Sequence, residues 1–257
     1  MPFFSSNTTG YLGGVSLMAA LSVILTASTA RADEDSPPPA APEKGFELLI
    51  QGDGRSVWVG YGLEKWPLGW EVDETNGILH RSGSGGDLRT IKTYRDFDLR
   101  FDWKVSEGGN SGVMYRASQD QKPGYRTGPE YQVLDDARHR DGQSPLTSTG
   151  SLYGLYPPTK KAAKPAGQWN RSRIVVRGNH VEHYLNGEKV VDCEMNSDDW
   201  NDRLAKSKFA EWKEYGKVPK GHIILQDHGD EVWYQNIRIK ELPEKGDGEA
   251  AKPSAGG

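Results

Sequence analysis

From Asp96 to Val105 polar and apolar residues alternate over ten positions: Phe97, Leu99, Phe101, Trp103 and Val105 fall on one side, and Asp98, Arg100, Asp102 and Lys104 on the other. A period of two predicts a half-buried strand. Shorter runs of the same kind cover 78–80, 112–117, 130–135, 173–177, 179–185, 222–227 and 232–239, and Val190–Glu194 also reads as a strand. Asn186-Gly187 lies between two of these runs, and both residues tolerate the positive φ of a tight hairpin. One segment reads as helix. Ser197 can cap it, Asp198 and Asp199 suit its positive start, and Gly216 can end it, with Trp200, Leu204 and Trp212 as its buried stripe. No alternation of strands with helices is visible. The pattern predicts an all-β sandwich or jelly roll with one short helix.

The two ends break this pattern. An apolar run at 11–25 is followed by small residues, and Ala30-Arg31-Ala32 fits a small-x-small cleavage site, so 1–32 reads as a signal peptide. No Lys or Arg precedes the run, which departs from the usual leader. It is short for an anchor, and no other segment reads as a membrane span. Residues 33–44 are expected to form a disordered, polar, Pro-rich linker, and 243–257 a disordered Pro-, Gly- and Lys-rich tail, with nothing to bury. The folded unit is expected at 45–242, in a periplasmic or extracellular setting.

Charge and composition narrow the function. A net charge of −4 with no basic stripe excludes a dedicated nucleic-acid surface. The single cysteine, Cys193, excludes an intrachain disulfide and reads as a buried, inert thiol. Phosphate-cradling loops, His-Glu-x-x-His and Gly-x-Ser-x-Gly turns are missing, which argues against nucleotide enzymes, zincins and serine hydrolases. Eight tryptophans suit either a sandwich core or the apolar face of a sugar ring.

Several polar residues sit where a strand should be apolar. Glu130 and Gln132 share one strand face, while Tyr131 and Val133 share the other and look like core. Arg116 lies in an apolar strand opened by Asn110-Ser111-Gly112, and it could pair with Glu130 or bind sugar hydroxyls. Gln226 and His228 share a face at a strand end, and His228 could act as a base near neutrality. Tyr153, Tyr156 and Trp169 bracket a Pro/Lys-rich loop and could line a sugar subsite. Asp135 could hold a divalent cation or cap a loop, and Asp102, Asp135 or Asp227 could supply a second carboxylate beside Glu130.

Taken in order, Gly45-Phe46, Trp58, Trp70, Leu88-Arg89-Thr90, Tyr94-Arg95-Asp96-Phe97, Asn110-Ser111-Gly112, Arg116, Gly128-Pro129-Glu130-Tyr131-Gln132, Thr149-Gly150-Ser151-Leu152-Tyr153, Gly167-Gln168-Trp169-Asn170, Ser207-Lys208-Phe209 and Gly221–Gly229 resemble the 3-keto-disaccharide hydrolase family. The resemblance implies a concanavalin-like lectin/glucanase jelly roll that cleaves 3-keto-glycosides made by a separate oxidoreductase. It implies Glu130 or His228 as the base, with Arg116 or a bound cation steadying the enolate. Asn110, Gln132, Tyr153, Trp169 and Gln226 would then bind the sugar. A non-catalytic carbohydrate-binding module on the same fold is the alternative. A conventional glucanase is disfavoured, because Gln132 stands where such enzymes place a second acid on the strand.

Overall fold

The computed structural model describes residues 36–120 and 123–244. The leader and its cleavage site at 1–32, and nearly all of the 243–257 tail, lie outside the described residues.

Among the described residues thirteen strands form two antiparallel sheets. The larger sheet contains β1 (Glu47–Leu48), β3 (Trp70–Asp73), β4 (Ile78–Arg81), β6 (Phe97–Val105), β9 (Asn170–Arg177), β10 (His180–Leu185), β11 (Glu188–Glu194) and β13 (Val232–Glu241). It is ordered β11-β10-β9-β6-β13-β4-β3, and β1 pairs with the far end of β13. The smaller sheet is ordered β2-β5-β12-β7-β8. Its strands are β2 (Trp58–Gly60), β5 (Leu88–Thr90), β7 (Asn110–Ala117), β8 (Glu130–Leu134) and β12 (His222–Leu225). Together they make a concanavalin-like jelly-roll sandwich.

The alternation of β6 shows how the sequence drives this packing. Phe97, Leu99, Phe101, Trp103 and Val105 are all at most 2% exposed and face the inter-sheet core. On the outer face Asp98 is bound by Arg100 and Arg173, and Asp102 by Arg171 and Asn236. From the smaller sheet, Val113, Tyr115, Tyr131, Val133, Ile223 and Leu225 meet that core. Phe101 sets its ring edge-to-face on Tyr131 at 5.6 Å. Asn186 (φ 50) and Gly187 (φ 90) turn β10 into β11, as their residue types predict. Cys193 is buried, and burial pushes its thiol up to about 12.

Two expectations need correction. The helix, α1, runs only from Asp198 to Ala205, and residues to Gly216 continue as turns. Ser197 caps it by accepting from the Trp200 amide at 3.2 Å. Trp200 stacks between Tyr156 and Tyr215, whereas Trp212 packs outside the helix against Phe209 and Tyr215. The aromatic cluster, rather than a continued helical stripe, fixes 207–216. The second concerns the described part of the linker, 36–44. The Ala40 amide donates to Asn236 at 2.6 Å, Asn236 donates to the Pro38 carbonyl, and Glu43 pairs with Arg100, so this stretch is tied to the larger sheet.

Candidate active site

The outer face of the smaller sheet carries the site. Because side chains alternate, the residues flanking the core positions of β7, β8 and β12 point away from the core. This places Asn110, Glu130, Gln132 and Gln226 on one surface, in a cavity of about 370 Å³. That size lies within the ordinary range for small-molecule sites. The covering walls come from loops. The 148–153 loop pairs with the β8 edge, and the Tyr153 amide donates to the Glu130 carbonyl at 3.0 Å. Tyr125, Phe209 and Trp212 form an aromatic flank, with Tyr125 5.4 Å from Trp212 and Trp212 5.2 Å from Phe209.

Glu130 is 8% exposed, and its carboxyl makes no hydrogen bond or ion pair among the described residues. Burial pushes it up from the ordinary 4.5 to about 8, against the opposing pull of the Lys208 charge. Gly112 makes room for it, since a Cβ at that position would collide with the Glu130 carboxyl. Three amide oxygens in the same cavity wall, on Asn110, Gln132 and Gln226, are buried without a partner. The orientation of Gln132 is set by its Nε2, which donates to the Thr147 carbonyl at 3.2 Å and leaves Oε1 without a partner among the described residues. Such acceptors suit the hydroxyl donors of a sugar.

Tyr153, beside Glu130 in the same cavity, donates from its hydroxyl to Asp141 at 2.9 Å, and burial with that carboxylate raises its pKa. His228 is exposed at the rim, with its ring edge-on to His139 at 6.1 Å. Thus Glu130, Asn110, Gln132, Gln226, Tyr153 and His228, separated by up to 118 positions, meet in one cavity.

Three candidates lie elsewhere. Arg116 does not reach Glu130. Its φ of 50° turns it the other way, where it donates to the Arg95 carbonyl (2.7 Å), the Gly178 carbonyl (2.7 Å) and Asp96 (2.9 Å). Trp169 is buried at the start of β9 beside Lys104 and lines a different hollow with Asp102 and Lys164. Tyr156 donates to Asp199 and packs on Trp200. The alternative second carboxylates are also occupied: Asp102 by Arg171 and Asn236, and Asp227 by Arg81 at 2.6 Å. Asp135 accepts from the backbone amides of Gly108 and Ala137, which is the loop-capping role. A His180–Glu182–Asp192 cluster on β10 and β11 could group round a cation, but the Lys189 ammonium already bridges both carboxylates there.

Tyr125, Asp141, Lys208, Phe209 and Trp212 were not singled out as site residues from the sequence. Lys208 and Phe209 stood within a recognised motif, but the expected helix hid their position. Asp141 and Tyr125 lie in irregular or single-turn segments where no periodicity marks a face.

A sandwich sheet whose outer face holds a buried carboxyl among amide acceptors and aromatic rings defines a carbohydrate-active protein. The chain belongs to the 3-keto-alpha-glucoside-1,2-lyase-like domain family, which it matches over residues 45–240. It is 35% identical over 228 residues to a 3-keto-disaccharide hydrolase of Bacteroides thetaiotaomicron, covering 77% of this chain and 79% of that protein. A solved structure from Parabacteroides distasonis, of an inferred glycosyl hydrolase, is 32% identical with a TM-score of 0.73, covering 80% of this chain and all of that one. A second from the same organism, also an inferred glycosyl hydrolase, is 26% identical with a TM-score of 0.61, covering 77% of this chain and 99% of that one. A role as a carbohydrate-acting, glycoside-hydrolase-like protein follows.

Proposed function

We propose that this protein cleaves 3-keto-glycosides outside the cytoplasm, with Glu130 as the proton-transferring carboxyl. The observation that carries the reading is the isolation of Glu130: a buried carboxyl without a partner, opening on a cavity lined by unpaired acceptors. Retaining and inverting glycosidases use two carboxyl groups. Here the other cavity carboxylate, Asp141, already holds the Tyr153 hydroxyl.

A ketone at carbon 3 makes one carboxyl sufficient for the first step. It acidifies the proton on carbon 2, and Glu130 as carboxylate removes it. The C2–H electron pair becomes the C2=C3 bond, and the negative charge moves to the carbon-3 oxygen. Collapse of that enolate restores the ketone, forms C1=C2 and breaks the bond from carbon 1 to the leaving oxygen, which takes up a proton. Water then adds at carbon 1 and a proton returns to carbon 2, so the sum is hydrolysis. His228 at the rim and the Tyr153–Asp141 pair are the groups available to donate to the leaving oxygen.

The second reading, a non-catalytic sugar-binding module, rests on the same three amide oxygens. Turnover of a 3-keto-glucoside and its unoxidised parent, by wild type and Glu130→Gln, separates the two. Cleavage of the keto form alone, lost in the variant, supports the enzyme. Binding of either sugar by both proteins without cleavage supports the module. Repeating the assay with chelator tests for a required cation, and fractionation of the native host tests export.

A further inference from the structure

We infer that Lys208 is the residue whose charge stabilises the enolate oxygen, a place the sequence had offered to Arg116 or a cation. The inference rests on the proposed 3-keto-glycoside chemistry. It begins from charge. Removal of the carbon-2 proton leaves a full negative charge on the carbon-3 oxygen, and a cavity built for that step needs a cation or strong donors aimed at it. Arg116 cannot serve, because all three of its donor directions are taken on the far side of β7. Among the described residues lining the cavity, Lys208 alone carries a permanent positive charge.

The placement of the ammonium supports this role. It sits over the ring of Tyr153 at 4.4 Å and lies 5.4 Å from that of Phe209, two rings that themselves line the cavity. Cation–π contact positions a lysine without using its N–H donors. Lys208 makes no hydrogen bond or ion pair among the described residues, so those donors remain available to a ligand. Its field already reaches Glu130, where it is the largest influence opposing burial. One cation can therefore favour both charged states of the reaction: the Glu130 carboxylate before proton transfer and the enolate after it. The backbone supports this position, because the Ser207 hydroxyl accepts from the Phe209 amide at 3.1 Å and Phe209 stacks on Tyr215 at 4.5 Å.

The test compares wild type, Lys208→Met, Lys208→Arg and, as a control on an exposed lysine outside the cavity, Lys206→Met. Each is assayed for cleavage of a 3-keto-glucoside and for exchange of its carbon-2 proton in D₂O. The expected result for Lys208→Met is a fall in kcat of about 100-fold or more, with KM changed less than about threefold, and a parallel loss of exchange. The Glu130 limb of the pH profile should also move to higher pH. Lys208→Arg should recover part of kcat, and Lys206→Met should match wild type. Retention of kcat within threefold by Lys208→Met, or a loss confined to KM, overturns the inference while leaving the proposed function standing. Absence of both turnover and exchange in wild type overturns the two together.

Discussion

Replacing Glu130 by Gln should stabilise the protein in alkali while abolishing turnover. The folded state holds the Glu130 proton more tightly than the unfolded chain does, because burial raises the group from 4.5 to about 8. Its contribution to stability is therefore complete below about pH 4.5 and is lost as pH rises through 8. At about 1.4 kcal/mol per pH unit, the interval sets a ceiling of roughly 5 kcal/mol. The carboxyl borders a cavity that admits water, which reduces the penalty, and about 2 kcal/mol is the expected cost at pH 9. Gln fills the same volume and never ionises. Thermal denaturation should show E130Q melting within a degree of wild type at pH 5 and about 4–8 °C higher at pH 9, at ~2–4 °C per kcal/mol for a domain of this size. In the kinetic arm, kcat/KM of wild type should rise with pH to a plateau above about 8, as the basic form accumulates, and E130Q should lose about 100- to 10,000-fold. Equal melting temperatures across the range would show that Glu130 is not held in a desolvated site. A wild-type rate that falls above pH 8 would make Glu130 the acid and refute its assignment as base.

Three further substitutions probe the surroundings. Gly112→Ala keeps a strand backbone but drives its methyl into the Glu130 carboxyl, so kcat should fall about 100-fold with the fold intact by circular dichroism; unchanged kcat would show that Glu130 is not held by this contact. Arg116→Lys can replace only part of a three-bonded guanidinium, and denaturant titration should show a loss of about 2–4 kcal/mol with the pH–rate profile of the folded protein unchanged. A 100-fold drop in kcat without destabilisation would return Arg116 to the site. Gln132→Glu adds a second carboxyl on the Glu130 face, and the rising limb of kcat/KM should shift upward by about one pH unit; no shift would mean that the two side chains do not share an environment.

Most of the strands were legible because burial on one side enforces period two. From Phe97 to Val105 each inward residue contributes to the core, and a shift of one position would reverse the strand. The short strands β2, β3 and β5 have too few residues to display a period. The end of α1 was misread because a helical stripe and a compact aromatic cluster use the same residue types, and Gly216 serves either. For the site, the face shared by Glu130 and Gln132 could be read directly from alternation. The error at Arg116 has a specific cause: its positive φ, next to the shift in register between β7 and β12, removes the side chain from the face that alternation assigns. Lys208 became identifiable only when the loop after α1 was seen against β8.

The contrast between Glu130 and Gln132 bears on why a keto sugar suits this fold. Two residues apart on one strand, they project to the same side, the arrangement that could bring two acids to a glycosidic bond. In this chain the second is an amide whose nitrogen is fixed to Thr147, so it can accept a hydroxyl but cannot exchange a proton at neutral pH. A single titrating carboxyl on that strand cannot both attack and protonate an unactivated acetal. Once the substrate carries a ketone, the difficult cleavage becomes a proton removal followed by expulsion of the leaving group, and neutral acceptors that hold the ring are more useful than a second charge that would repel the enolate. In the proposed reaction the amide at Gln132 and the positive charge of Lys208 in the same cavity would answer one requirement: an anion that forms on the substrate rather than on the protein.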